Sequence, residues 1–168
     1  MLNKAEPKIE RITKNDDFSH YINVLNRAFI TVANDFGLSK ENCPTNNAFI
    51  DEQTLKKQLA ENMEFYHLVL NKQTIGFIAI EKSIRQKDTY YIEKIAILPE
   101  YRHQSYGQKL MHFATERIKD LKGKKISIGL IDSHVKLKKW YAEQGFTETG
   151  KKEFKHLPFT VCFMEKKL

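Results

Sequence analysis

Apolar residues recur at every third or fourth position in several segments of the chain, which is the spacing of one helix face. The segments are residues 16–36, 51–62, 107–121 and 134–144. The pattern is clearest in the third, where the shared face carries Leu110, Met111, Ala114, Ile118 and Leu121. We expect Asn15 or Asp16 to cap the first helix and Gly37 to end it.

Shorter apolar runs bounded by turn residues predict strands between these helices. They cover residues 9–12, 65–70, 74–81, 90–98, 125–131, 146–150 and 159–164. The resulting order is β-α-α-β-β-β-α-β-α-β-β, an α/β (α+β) fold with helices flanking a central, twisted, mixed sheet. The loop 37–50 is long for a compact domain, and such loops are often functional.

Length and composition narrow the class of protein. The 168 residues suit one domain, residues 1–168, and 41% apolar residues suffice for a core. The absence of any apolar run near ~18 residues argues against a membrane span. The start of the chain, Met1–Pro7, lacks the apolar stretch of a signal peptide. Cys43 and Cys162 are too few for a disulfide framework, so we expect reduced thiols in a cytoplasmic protein.

The positive charge is concentrated toward the C-terminus. Residues 99–168 hold 15 basic and eight acidic side chains, whereas residues 1–98 hold 13 of each. The later part therefore carries the whole net charge of +7. A phosphate-bearing cofactor, a nucleic acid or an acidic surface would suit this field, and a solvated lysine-rich face would also explain it.

The segment Tyr91–Met111 predicts a strand that runs through a tight turn into the strongest helix. The first N–H groups of a helix lack internal partners, and the helix dipole adds positive potential there. Such a turn suits a pyrophosphate, and Arg102 and Lys109 add charge nearby. An ordinary strand-to-helix connection would produce the same pattern.

Within this segment, residues 95–107 resemble the acetyl-CoA-binding motif of the GNAT acetyltransferase superfamily, Gln/Arg-x-x-Gly-x-Gly/Ala after an apolar strand. Arg102 matches its first position and Gly107 its last. Ser105 stands where glycine is usual, and His103 where glycine is common; the serine hydroxyl can itself bond a phosphate oxygen. The resemblance implies a set of cofactor-binding residues: Ile95, Ala96, Ile97, Arg102, His103, Gln104, Ser105, Tyr106 and Gly107.

A second segment, residues 134–146, resembles the family signature Asn-x-x-Ala-x-x-x-Tyr-x-x-x-Gly-Phe. Tyr141, Gly145 and Phe146 match it, whereas His134 replaces the asparagine and Leu137 the alanine. In the family this asparagine often contacts the pantetheine arm or the pyrophosphate, so the resemblance implies the same place for His134. A core tyrosine and a simple helix stop would explain Tyr141 and Gly145 equally well.

The resemblance implies acetyl transfer from acetyl-CoA to a primary amine by direct attack in a ternary complex. Backbone N–H groups of Ile95, Ala96 or Ile97 would polarise the thioester, and Tyr141 would be the general acid. Glu93 is the candidate base for the attacking amine, and the alternative is a water molecule oriented by Tyr91. Strand alternation places Glu93 on the side of Tyr91 and Ile95 unless a bulge intervenes, and a solvent-facing glutamate is the alternative. We predict no metal, because the histidines lack ligand spacing.

The acceptor amine belongs either to a small molecule or to a protein or peptide. We expect its site between the loop 37–50 and residues 151–158, with Phe36, Phe49 and Phe154 as candidate lining. Lysines near that mouth would disfavour a polyamine. An exposed last strand would allow a homodimer.

Two other functions fit parts of the sequence. A GNAT-like protein that senses acetyl-CoA or CoA without turnover is compatible with Ser105 and His134. Nucleic-acid binding would use the basic part of the chain. However, the sequence lacks a helix-turn-helix signal, an aromatic-basic RNA motif and a zinc knuckle.

Overall fold

The computed structural model describes residues 6–168 and contains alternating helices and strands in the predicted order. The elements are β1 (Lys8–Arg11), α1 (Ser19–Asp35), α2 (Glu52–Ala60), β2 (Glu64–Leu70), β3 (Gln73–Lys82), β4 (Thr89–Ile97), α3 (Tyr106–Asp120), β5 (Lys125–Ile131), α4 (Val135–Glu143), β6 (Thr147–Glu153) and β7 (Thr160–Lys167). The expectation about a signal peptide concerns mainly residues 1–5, which lie outside the described part.

The first helix begins later than the sequence pattern predicts. Asp16 accepts hydrogen bonds from the Thr13 backbone N–H (2.8 Å) and the Tyr21 hydroxyl (3.3 Å), so its carboxylate closes the turn before α1. Residue Phe18 occupies the N-cap position without a side-chain capping bond. The prediction of Asn15 or Asp16 as N-cap was therefore wrong.

The seven strands form one mixed sheet in the order β1-β2-β3-β4-β5-β7-β6. The β4–β5 pair is parallel, and the other neighbouring pairs are antiparallel. Strand β7 lies between β5 and β6, so the last strand is not available for pairing with a second subunit. That expectation was wrong; the edge strands of the sheet are β1 and β6, and all seven residues of β6 are exposed.

The sheet opens between its two parallel strands. Strands β4 and β5 pair only from Thr89–Lys125 to Tyr91–Ser127. Beyond these pairs β4 continues to Ile97 and β5 to Ile131, and each keeps its other neighbour. The backbone groups on the inner sides of these two carboxyl-terminal halves are therefore left without a strand partner.

Helices cover both faces of the sheet. On one face, the Tyr21 ring of α1 lies 6.2 Å from that of Phe77 in β3. On the other, Phe113 of α3 packs edge-on against Tyr66 of β2 at 4.7 Å. The resulting apolar core extends from Ile12 to Met164. No helix among residues 6–168 is long and apolar enough to cross a membrane.

Candidate active site

Tyr141 of α4 lies near Glu93, which stands on β4 where the opening between β4 and β5 begins. The residue is 6% exposed, and its ring packs edge-on against Trp140 (5.0 Å) and Phe146 (5.5 Å). Burial raises the pKa of the Tyr141 hydroxyl well above its usual value, and the nearby charge of Glu93 raises it further. The phenol is therefore protonated at any physiological pH. Within residues 6–168 its hydroxyl has no hydrogen-bond partner, so it is available to a ligand.

A β-bulge distorts β4 next to this tyrosine. Glu93 pairs with Ala79, and Ala96 pairs with Phe77, so two residues of β4, Lys94 and Ile95, oppose a single residue of β3. Lys94 takes the left-handed backbone conformation at φ +53°. The bulge keeps Glu93 on the sheet face of Tyr91 but moves Ala96, rather than Ile95, onto that face. The condition of an unbulged strand is therefore not met, and Glu93 shares its face with Tyr91 but not with Ile95.

Glu93 is half-buried rather than solvent-facing. Burial raises the pKa of its carboxyl above the usual value; Lys94 opposes this shift and Glu81 adds to it. A carboxylate with a raised pKa is a better proton acceptor than an exposed one. The structure brings this acceptor close enough to Tyr141 for the two groups to influence each other electrostatically.

The Arg102 side chain is held by hydrogen bonds within the fold. Its guanidinium donates to the Ala28 carbonyl (2.8 Å), the Thr31 hydroxyl (3.0 Å) and the Ile97 carbonyl (3.3 Å). These bonds tie the middle of α1 to the carboxyl end of β4. The side-chain charge is therefore engaged, and the residue offers a ligand mainly its backbone.

The turn that follows Arg102 leads directly into the first turn of α3. Ser105 is the N-cap at φ +64°, and its side chain makes no capping bond. The first helical hydrogen bond runs from the Lys109 N–H to the Ser105 carbonyl. The N–H groups of residues 106–108 therefore lack a helical partner. Gly107 sits in this turn against α4: a Cβ there would lie 3.3 Å from the Trp140 ring.

His134 lies across the opening, at the N-cap of α4. Its Nδ1 accepts a long hydrogen bond from the Leu137 N–H (3.4 Å), and its ring lies 5.1 Å from that of Phe36. Burial lowers the pKa of the imidazole, which favours the neutral form. Because Nδ1 accepts, neutral His134 carries its proton on Nε2 and can donate from there.

The two loops expected around the acceptor meet in a second apolar cluster. Ala33, Leu38, Cys43, Ala48 and Ile131 form its buried part. The partly buried side chains that pack against it include Phe36, Phe49, Leu157 and Phe159. Phe154 lies elsewhere, against Phe163 at 6.5 Å, so it does not join Phe36 and Phe49 in this cluster.

A network of charged side chains lies near the expected acceptor site between the loop 37–50 and residues 151–158. Asp132 binds Lys138 and also Lys151 at 3.1 Å, and Glu148 lies 3.3 Å from Lys138. Asp132 and Glu148 also have metal-ligand spacing with Cys162, but the two ammonium groups already neutralise both carboxylates. Lys151 is thus paired and cannot repel a cationic acceptor as strongly as its sequence position suggests.

Comparison with known proteins identifies the family. The model for the "Acetyltransferase (GNAT) domain" matches residues 33–168. The chain belongs to the GNAT acetyltransferase family. Curated protein sequences give no match to this GNAT chain.

Solved structures similar to this GNAT chain cover nearly all of it. The PaiA N-acetyltransferase of Thermoplasma acidophilum, in complex with coenzyme A, has a TM-score of 0.77 and 17% identity over 97% of this chain and 99% of its own. The ribosomal-protein-S18-alanine N-acetyltransferase of Escherichia coli has a TM-score of 0.75 and 16% identity over 96% and 94%. A GNAT family acetyltransferase of Elizabethkingia anophelis with acetyl-CoA bound has a TM-score of 0.69 and 18% identity, over 96% of this chain and 98% of its own. At these identities the likeness shows the shared fold.

The GNAT motif's preference for glycine has a visible cause here. His103 and Ser105 both adopt left-handed backbone, at φ +61° and +64°. Only glycine does so without steric cost, so this chain retains the turn at the expense of some strain. Sequence reasoning located the turn but missed two neighbours of the site, Trp140 and Lys94. Trp140 directly precedes Tyr141 in the second motif, and this position was the available signal for Trp140.

Proposed function

We propose that the chain transfers the acetyl group of acetyl-CoA to a primary amine by direct attack within a ternary complex. One observation carries this proposal: the opening between β4 and β5 has the Tyr141 hydroxyl and the Glu93 carboxylate beside it. The free N–H groups of the first turn of α3 come after β4 in the chain, beyond the turn that contains Arg102 and Ser105.

Acetyl-CoA would lie along the opened side of β4. In this arrangement, the N–H groups of Ile95, Ala96 or Ile97 that face the opening bond the thioester carbonyl or the pantetheine amides. The backbone of the turn 102–107 binds the pyrophosphate, helped by the Ser105 hydroxyl. The Nε2–H of His134 donates from the opposite wall. The coenzyme in the Thermoplasma and Elizabethkingia structures supports the choice of cofactor.

The reaction needs three proton movements. The acceptor ammonium loses a proton to Glu93, and the neutral nitrogen attacks the thioester carbon. The oxyanion that develops is stabilised by preorganised N–H donors, each worth roughly 3 kcal/mol in related chemistry. As the C–S bond breaks, Tyr141 donates its proton to the leaving thiolate. The nitrogen of the new C–N bond then releases its second proton, which restores the Tyr141 phenol.

Tyr141→Phe tests the role of the acid. We expect kcat to fall about 10- to 100-fold while acetyl-CoA binding is largely kept, because only the proton donor is removed. Thiol release measures the rate, and acetyl-CoA-induced thermal stabilisation measures binding. Tyr101→Phe is the matched control, since that hydroxyl bonds Gln73 away from the opening. An unchanged kcat in Tyr141→Phe would reject the acid role.

A thermal-shift titration tests the cofactor first. Ligand at ~100 times its Kd adds about 2.7 kcal/mol of stability, which corresponds to several degrees at this size. We expect acetyl-CoA to produce this shift and ATP and a matched polyanion not to. A selective shift without thiol release from any amine would instead indicate a sensor.

A further inference from the structure

Lys94 is a charged residue that the proposed chemistry does not use. It occupies the bulge of β4, between Glu93 and the N–H groups proposed to bind the thioester. The residue is half-buried, and its left-handed backbone is uncommon for lysine. Within residues 6–168, no carboxylate oxygen lies within 4.0 Å of its Nζ, so the ammonium group has no ion-pair partner.

Glu93, like Lys94, is half-buried and lacks an ion-pair partner within residues 6–168. Its carboxylate also makes no hydrogen bond within that range. Burial raises the pKa of Glu93 and lowers that of Lys94, although each of the two charges partly compensates the other. Adjacent residues therefore present one acidic and one basic group, both desolvated and neither closely paired. Such groups are stabilised by an external counter-charge.

The sheet face of Glu93 has room for a small ligand. A shallow cavity of about 240 Å³ lies on it, with lining residues that include Tyr91, Ser127, Phe163 and Glu165. Tyr91 precedes Glu93 by two positions on the same face, a separation of about 7 Å along a strand. A compact acceptor in this cavity would reach the bulge with one end.

We infer that the acceptor is a zwitterion, a free amino acid, whose ammonium group meets Glu93 and whose carboxylate meets Lys94. This inference rests on the proposed acetyl transfer and specifies its substrate class. A simple amine would leave Lys94 desolvated and unpaired. A polyamine would bring a second positive charge toward it. The N-terminus of a peptide carries a neutral amide where a free amino acid carries its carboxylate.

Matched pairs of acceptors test the inference. The rate of thiol release from acetyl-CoA is measured with each common amino acid and with its amide, and with spermidine and a simple alkylamine. The amide has a less basic amine, which is deprotonated more readily, so amine reactivity alone favours the amide. We expect kcat/KM to favour the free acid by about tenfold or more, which one charge-assisted contact supplies.

Variants of Lys94 assign this preference to the side chain. Lys94→Met should reduce the preference for the acid by about tenfold, mainly through KM, whereas Lys94→Arg should keep part of it. Acetyl-CoA-induced thermal stabilisation of each variant shows that it is folded and binds the cofactor.

Three results would overturn the inference alone: equal or faster turnover of the amides, rapid acetylation of spermidine, or an undiminished acid preference in Lys94→Met. Addition of one acetyl group to Lys94 itself in the absence of acceptor would also overturn it, because Lys94 would then be an acceptor. Absence of turnover in every arm would reject the proposed function together with the inference.

Discussion

Glu93 illustrates a conflict between stability and chemistry at a single residue. Its carboxylate is half-buried and has no ion-pair or hydrogen-bond partner among residues 6–168, and burial raises its pKa. Ionised Glu93 therefore destabilises the folded state at any pH above its folded pKa. Below the pKa of the unfolded chain, the group is protonated in both states and this cost disappears.

Glu93→Gln should reveal both sides of this conflict. The melting temperature should rise near pH 7 and match that of the parent protein below about pH 4. At the same time kcat/KM should fall, because the base is gone. Its pH profile should also lose the decrease at low pH that protonation of Glu93 causes. Thermal unfolding and rate profiles across pH measure the two effects. Glu153→Gln, in the exposed strand β6, is the control. Equal melting temperatures at all pH values would contradict the assigned desolvation.

Ser105 combines a backbone cost with a proposed contact. Ser105→Gly should relieve the left-handed strain and stabilise the protein by about 0.5–1 kcal/mol. It should nevertheless weaken acetyl-CoA about tenfold if the hydroxyl bonds a phosphate oxygen. Lys122→Gly is a matched control, since Lys122 has the same φ of +64° at the far end of α3. Calorimetric binding and unfolding measure both variants. An affinity unchanged in Ser105→Gly would remove the hydroxyl from the site.

Side-chain partners far apart in the sequence explain what could not be predicted at this scale. The sequence pattern located Tyr141, because tyrosine, glycine and phenylalanine stand in fixed spacing. It could not indicate that Arg102 would bond Ala28 and Thr31, more than 70 positions away. The case of Asp16 is local instead: it had a suitable position for a cap, but its carboxylate closes the preceding turn with Thr13, three positions away.

Between α3 and β5, the connection allows no side chain at Gly123. A Cβ there would lie 2.4 Å from Ile118 Cγ2 and 2.8 Å from Tyr90 Cδ2, and both neighbours belong to the core. Gly123→Ala should therefore destabilise the protein by about 2 kcal/mol, a loss of several degrees in melting temperature. Gly150→Ala is the control, because nothing lies within 4 Å of the added Cβ. Equal melting temperatures for the two variants would show that the connection relaxes freely.

The order of elements could be predicted from the sequence, whereas their distortions could not. Helical and strand periodicity are local properties, so segments such as 107–121 and 125–131 were located nearly to the residue. The bulge at Lys94 is a relation between β3 and β4, and the opening is a relation between β4 and β5. Neither leaves a trace in the alternation of one strand, yet together they create the candidate site.

At the scale of the whole molecule, the positive field is only partly neutralised by the fold. Lys138 and Lys151 are held by Asp132 and Glu148, and Arg117 makes a two-point pair with Glu64. Among residues 6–168, Lys109, Lys136 and Lys139 have no ion-pair partner. They stand on the first turns of α3 and α4 or the turn after, the helices that flank the opening. Their charges remain available to an anionic ligand.

This distribution predicts that salt weakens cofactor binding through the nucleotide part of the coenzyme. Raising KCl from about 50 mM to about 500 mM shortens the screening length, so the Kd of acetyl-CoA should rise about tenfold. Acetyl-pantetheine keeps the thioester arm but lacks the pyrophosphate and the 3′-phosphate, so its weaker binding should change little. Titration calorimetry of both ligands at the two salt concentrations makes the comparison. Replacing Lys136 and Lys139 by glutamine should flatten the salt dependence for acetyl-CoA, whereas Lys155→Gln, in the β6–β7 connection, should leave it unchanged. Equal salt dependence for the two ligands would mean that the lysines act as a solvated face and that the coenzyme phosphates are held by the backbone alone.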